Sequence, residues 1–185
     1  MNVERDEVCI FIPTLNEAPT IGKLVEAFRE RGFLNILVMD GNSTDGTPDI
    51  ARSAGAVVRT QTGKGKGNAI IEAVEVIDKP YILMLDGDGT YSPNDAERML
   101  APLGRGYDHV IGNRLVNPDG AAFTRLNLLG NQLLNLIFKL AHGKDLRDIL
   151  SGYRAFTLHS VRQMTLKEAG FEIETEMAVE AVRNG

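Results

Sequence analysis

Tryptophan is absent from this 185-residue chain, cysteine occurs once and histidine three times. The single cysteine, Cys9, lies inside an apolar run, so a disulfide framework is excluded and a small buried thiol in a reducing compartment is expected. His109, His142 and His159 stand at no spacing typical of metal-binding histidines, so no histidine metal centre is expected. Also missing are a charged-then-apolar leader and any run of about 18 apolar residues able to cross a bilayer. The expectation is a protein of the cytoplasm, peripheral on the cytoplasmic face of a membrane. Low-complexity tracts and internal repeats are absent too. Positive charge is in deficit, with a net charge of −5, which speaks against nucleic acid as a partner. The distribution is uneven: residues 1–104 carry 10 basic and 16 acidic groups, residues 105–167 carry 9 and 4, and residues 168–185 carry 1 and 5. A basic segment between acidic flanks suits a local anion site, or is an uneven solvated surface.

What is present is ordinary for one globular domain, with 43% hydrophobic and 24% charged residues. Val8 to Ile12, Asn35 to Met39, Ala56 to Val58, Tyr81 to Leu85 and His109 to Gly112 read as strands. Their near-continuous hydrophobicity predicts burial on both faces, as in a parallel sheet covered by helices. Ile21, Leu24, Val25 and Phe28 make one face of a first helix that Gly32 closes. Thr47-Pro48 opens a second with a cap and a proline at its first position, Gly55 ends it, and Ser92-Pro93 opens another. The alternation predicts a doubly wound α/β layer, a mostly parallel sheet with helices on both faces. After residue 112 the rhythm changes to a loop over 113–120 and a Leu-rich helix over about 122–142. On that helix Asn127, Asn131, Asn135 and Lys139 form a polar seam four residues apart. A short strand near Tyr153 to Leu158 and an acidic last helix follow.

The sharpest motif is Leu83-Met84-Leu85-Asp86-Gly87-Asp88-Gly89-Thr90. Two carboxylates two residues apart, at the end of a buried strand, point to one side if the chain stays extended. They fall at the carboxyl edge of the sheet, where open α/β folds place ligands. Such a pair repels, and Mg2+ or Mn2+ held by Asp86 and Asp88 plus diphosphate oxygens satisfies both charges. Gly87 and Gly89 leave room for a nucleotide against the backbone. The same Asp-x-Asp-Gly-Thr also resembles the first motif of haloacid-dehalogenase-type phosphatases. That family places it near the start of its fold, whereas 85 residues precede it here, and Lys144-Asp145 with Asp148 fit its later motif poorly. Ile12-Pro13-Thr14-Leu15-Asn16-Glu17 and Val38-Met39-Asp40-Gly41-Asn42-Ser43-Thr44-Asp45-Gly46-Thr47 end the first two strands and bring polar groups to the same edge. Gly41 to Thr47 has P-loop glycine spacing but no lysine follows. Gly63-Lys64-Gly65-Lys66-Gly67 either brings amides and Lys66 near a nucleotide or is a surface turn.

The ordered set Pro-Thr-x-Asn-Glu, Asp-x-x-Ser-x-Asp-Gly-Thr, Gly-Lys-Gly-x-Ala, Asp-x-Asp, Gly-Asn-Arg at 112–114 and Asp-x-x-Ser-Gly-Tyr-Arg-Ala-Phe at 148–156 resembles the family 2 inverting glycosyltransferases. Within them it is most similar to the polyprenyl-phosphate group, such as dolichyl-phosphate mannose and glucose synthases. The resemblance covers about residues 8–180 and implies a GT-A type, Rossmann-like fold. It also implies one catalytic domain over 1–185, with 1–112 as the nucleotide-binding half and 113–185 as the acceptor-side half. Pro13, Leu15, Glu17 and Asp40 are implied to bind the nucleoside, Asp86 and Asp88 the metal and diphosphate, and Arg114 the phosphates. Gly41 replaces an acidic residue usual in the family, which leaves uridine and guanosine both open as the base. Thr90 stands where mannose synthases often carry a Gln, so a weaker or water-mediated metal contact is expected there.

The expected reaction is transfer of a hexose from a nucleoside-diphosphate sugar, UDP- or GDP-linked, to a polyprenyl phosphate at the membrane surface. A glycosyltransferase with a soluble acceptor and a nucleotide-sugar-binding module without turnover are the alternatives. Arg114, Arg125 and Arg154 are candidates for clamping the diphosphate and acceptor phosphate. Asn131, with the rest of the seam, is expected to face a polar cleft or headgroup region, while the prenyl chain lies along the Leu face. Among Glu172, Glu174 and Glu176 an acceptor-side base is conceivable, yet a helix start favours acidic residues anyway. The acceptor phosphate, with a second pKa of about 6, is already mostly dianionic at neutral pH and requires no base.

Overall fold

The structure, a computed structural model, describes residues 3–113, 125–144 and 146–184. Six strands, β1 (Val8–Thr14), β2 (Ile36–Asp40), β3 (Val57–Thr60), β4 (Tyr81–Met84), β5 (His109–Ile111) and β6 (Arg154–Thr157), form one sheet in the order β3-β2-β1-β4-β6-β5. The β1–β2, β1–β4 and β2–β3 pairs are parallel. Both pairs made by β6, with β4 and with β5, are antiparallel.

Every residue of β1 is buried, because alternate side chains enter two different cores. Val8, Ile10 and Ile12 pack with α1 (Ala18–Glu30) and α4 (Ala96–Leu100). Cys9 and Phe11 pack with α3 (Lys66–Val76), α6 (Leu158–Gln163) and α7 (Ile173–Asn184). Helices therefore cover both faces, which is why the central strands read as unbroken apolar runs. The expectation fails at the edge: Val57 of β3 is 62% exposed, since among the described residues this strand has no neighbour on its outer side and little helix above it.

The turn chemistry largely does what its residues dictate. Gly32 and Gly55, with φ of +84° and +101°, close α1 and α2 (Thr47–Ser53). Ser92 Oγ accepts from Asn94 N at 3.2 Å to start the 3-10 turn Pro93–Asp95 that leads into α4. Thr47, in contrast, is not the cap of its own helix. Gly46 holds that position, and the Thr47 hydroxyl is used elsewhere.

The helix α5 (Arg125–His142) is turned the other way round from the expected arrangement. The middle of its polar seam, Asn131 and Asn135, turns toward the body of the protein, while Lys139 is exposed. Asn131 donates Nδ2 to Asp148 Oδ1 at 2.9 Å, and Asn135 donates to Arg147 O at 2.6 Å and accepts from Ile149 N at 3.0 Å. Phe138 is buried beside Ile149 and Ala178. Leu133, Leu136, Ile137 and Leu140 are 58%, 52%, 53% and 78% exposed. The amides are needed inside because the 147–149 turn presents backbone polar groups that must be paired. Asn127 and the start of the expected helix at 122–124 lie outside the side chains and residues described.

Candidate active site

Two loops are locked together at the carboxyl ends of β1 and β2. Asn16 N donates to Ser43 Oγ at 2.8 Å, and Thr44 N donates to Asn16 Oδ1 at 2.9 Å. Glu17 N donates to Thr47 Oγ1 at 2.8 Å, and Ala18 N to Asp45 Oδ2 at 3.0 Å. The second loop thus caps the first turn of α1 from outside, satisfying donors that α1 leaves open. Thr47's hydroxyl donates to Asp45 Oδ1 at 2.6 Å and is the main reason the Asp45 carboxyl is held below its usual range. Asn16 and Asn42 take positive φ, 58° and 67°, as short polar side chains in such loops can.

Inside this lock, Thr14 and Asp40 are register partners on adjacent strands. Asp40 is 1% exposed; its Oδ2 accepts from Ser43 N at 3.0 Å. Its Oδ1 and Thr14 Oγ1 are buried with no hydrogen-bond partner among the described residues. Pairing is the rule for such atoms, so the unpartnered carboxylate oxygen of Asp40 marks a place where a donor is wanted. Pro13 is buried beside them, and Leu15 projects outward, 58% exposed. Gly41 N donates to Thr14 O at 2.8 Å. Beyond Asp40 a cleft of about 570 Å3 opens, lined also by Asn42, Thr44, Asp49 and Thr60.

The carboxylate edge follows β4. Gly87 is buried, backs onto Thr14 and Glu17, and accepts from Thr20 Oγ1 at 2.6 Å. Its missing side chain serves this packing as well as any ligand. Asp88 is exposed and accepts only the Thr90 N–H, at 2.8 Å, among the hydrogen bonds described. Asp86 is half-buried and pairs with the Lys66 ammonium. Glu17 lies close enough to feel this edge: burial first, then Asp88, Asp86 and Asp45, push its carboxyl pKa up. Among the described residues no three His, Cys, Asp or Glu side chains are grouped to hold an ion by themselves. Two carboxylates in excess negative charge fit a divalent cation that takes its remaining oxygens from a bound diphosphate.

Lys66 reaches this edge, but its partners are carboxylates. Nζ pairs with Asp86 Oδ1 and with Glu174 Oε1 at 2.6 Å. Burial works against the charge, yet Asp86 and Glu174 outweigh it and hold the ammonium pKa above the ordinary value. Its flanking glycines serve the chain. Gly67 N donates to Ala169 O at 2.8 Å, and a Cβ on Gly65 or Gly67 would strike the backbone of 168–169. The sequence offered no signal for the Glu174 contact, which spans 108 positions. Glu176 accepts from Lys167 N at 2.9 Å and Glu168 N at 3.0 Å, so it too is engaged.

The structure places two of the expected ligand residues, Arg154 and Asn131, in the interior. Arg154 is fully buried and donates Nε to Ser151 O at 2.9 Å and Nη2 to Ile149 O at 2.7 Å. Its neighbour is His109, whose ring contacts Phe156 edge-on. Asn131, 3% exposed, is bonded to Asp148. Both side chains pair buried groups of the 148–151 turn. Thr90 is exposed beside Asp88. Arg114 lies outside the described residues, and of Arg125 only its place at the start of α5 is described.

The family described as glycosyl transferase family 2 matches residues 9–169. Glycosyltransferase AglJ of Haloferax volcanii is 57% identical over 181 residues, covering 97% of this chain and 60% of that protein. A dolichyl-phosphate hexose transferase of the same organism is 31% identical over 153 residues, covering 82% of this chain and 66% of that protein. The solved structure of glucosyl-3-phosphoglycerate synthase from Mycobacterium tuberculosis in complex with Mn2+ and UDP-glucose shares the fold, with a TM-score of 0.76 at 19% identity over 96% of this chain and 64% of that one.

Proposed function

The chain belongs to glycosyl transferase family 2 and has the GT-A fold, and from that premise we propose that it carries out metal-dependent, inverting transfer of a hexose from a UDP-sugar to a polyprenyl phosphate. The observation that carries the donor half is Asp40 Oδ1, a buried carboxylate oxygen with no partner among the described residues, on a strand end of the sheet edge that also bears Asp86 and Asp88. Uracil presents one N–H between two carbonyls. Guanine presents two N–H groups side by side, which a carboxylate meets best with both oxygens. Asp40 has one oxygen already committed to Ser43 N, and Gly41 supplies no second carboxylate. A single remaining acceptor favours uridine.

Asp88 would hold the ion, Mg2+ or Mn2+, with Asp86 beside it and Thr90 at water-mediated distance, and the ion would stabilise charge on the departing diphosphate. Pro13, Leu15 and Glu17 frame the nucleoside. Arg114 and Arg125 remain the proposed phosphate ligands, and residues 113–185 the proposed acceptor side. The acceptor phosphate attacks as a dianion. The engagement of Glu174 with Lys66 and of Glu176 with two backbone amides supports a reaction without a protein base.

The acceptor half rests on α5. A row of exposed Leu and Ile, flanked by Lys139, Lys144 and Arg147, suits an interfacial helix lying against anionic headgroups. Among the described residues no helix is long and apolar enough to cross a membrane. The proposed site of action, on the strength of the exposed Leu and Ile row of α5, is the cytoplasmic membrane face. A thermal-shift panel of UDP- and GDP-hexoses, each with and without Mn2+, tests the donor assignment. The expected outcome is stabilisation by UDP-hexose that grows with Mn2+ and exceeds that by GDP-hexose. Preference for GDP overturns the base assignment, and indifference to every nucleotide overturns the function.

A further inference from the structure

Lys66 opens α3, and a lysine at a helix start ordinarily turns to water. Here the backbone forbids it. Gly65 and Gly67 press against the carbonyls of Ala169 and Glu168, pinning this end of α3 to the segment that leads into α7. The side chain is thereby delivered between Asp86 and Glu174, where it and Glu174 are each 8% exposed and Asp86 is 30% exposed. Gly152 closes the far side. A Cβ there would collide with Asp86 Oδ2 and come within 2.9 Å of Lys66 Nζ. Asp86 is thus fixed and charge-paired, while Asp88, two residues on, is exposed.

We propose that Lys66, braced by Glu174, is the resident counter-cation of Asp86 and keeps divalent-ion affinity low until a nucleotide diphosphate arrives. An ammonium on one of the two carboxylates removes much of the attraction the edge has for a second cation. A diphosphate reverses the balance. It brings negative charge that Lys66 can share and oxygens that complete the ion's shell. Ion and nucleotide then bind with positive coupling. Glu174 is a positioning residue in this scheme, acting only through Lys66. The inference rests on the donor-site reading above, and assigns Lys66 a different first partner from the nucleotide expected for it.

The test is Mn2+ titration, followed by the electron paramagnetic resonance of the free ion, on wild type, Lys66→Met and Glu174→Gln, each with and without UDP. Without nucleotide, Lys66→Met should bind Mn2+ at least about fivefold more tightly than wild type, because the repelling charge is gone. Glu174→Gln should bind it more weakly, because Lys66 then belongs to Asp86 alone. The gain in Mn2+ affinity on adding UDP should shrink in Lys66→Met. A purely structural ion cluster predicts weaker Mn2+ binding in both variants, and that result overturns the inference. If Lys66→Met fails to fold, unchanged or tighter Mn2+ binding by Glu174→Gln overturns it equally. Wild type that binds no UDP at all contradicts instead the donor-site reading.

Discussion

Asp86 and Asp88 have identical chemistry and different lives: one is charge-paired and half-buried, the other exposed with a single backbone contact. Asp88→Asn is therefore expected to change stability by no more than about 0.5 kcal/mol, as surface substitutions do. It should also abolish the effect of Mn2+ on UDP affinity, which calorimetry with and without the ion reads directly. His109 gives a second prediction at this scale. Burial, helped by Arg154, depresses its pKa to about 3, and its Nδ1 is shut off from solvent. Below the ordinary histidine value of about 6.5 the unfolded chain takes up a proton that the folded chain refuses, so stability falls as pH drops from there toward 3, by at most about 1.4 kcal/mol per pH unit. Melting temperatures between pH 7.5 and 4.5 should decline more steeply for wild type than for His109→Gln; parallel profiles would contradict it. Asp86, Asp88, Asp40 and Glu17 could be located from strand ends alone, because strand ends define the ligand edge. Arg154 could not. Its side chain follows from β6 entering the sheet antiparallel, and no local pattern states that.

Among the elements, β1, β2 and β4 were legible because burial on both faces leaves a continuous apolar run, and α1 because its Ile21, Leu24, Val25 and Phe28 recur at helical spacing. The orientation of α5 was not. Its periodicity separates asparagines from leucines, but which side turns inward depends on the 147–149 turn, whose backbone groups require Asn135. Two substitutions on this helix should behave oppositely. Phe138→Ala should cost about 3 kcal/mol or more, the usual penalty for emptying a buried phenyl site, measured by urea denaturation. Leu136→Ser with Ile137→Ser should leave that midpoint nearly unchanged, since both side chains are about half exposed. The same double substitution should weaken sedimentation with vesicles containing anionic lipid. Full retention on such vesicles would remove α5 as the proposed membrane-facing element.

On the scale of the molecule, the sheet order places the carboxyl ends of three parallel strands, β1, β2 and β4, side by side. Residues separated by up to 108 positions then meet at one edge. The strand–helix alternation of the first 112 residues foretold that edge. What it did not foretell is that β6 slips between β4 and β5 and that α7 returns to supply Glu174, both long-range pairings without a local signature. The central claim is that this edge passes a hexose from UDP to a lipid phosphate with the help of a divalent ion. The most direct measurement is incorporation of label from UDP-[14C]hexose into an organic-extractable product, using the chain with a short polyprenyl phosphate, with Mn2+ and with excess chelator. The account predicts labelled lipid only when Mn2+ and the polyprenyl phosphate are both present, and none with Asp88→Asn. Undiminished transfer in excess chelator, or label passing to phosphoglycerate and not to the lipid, would contradict it.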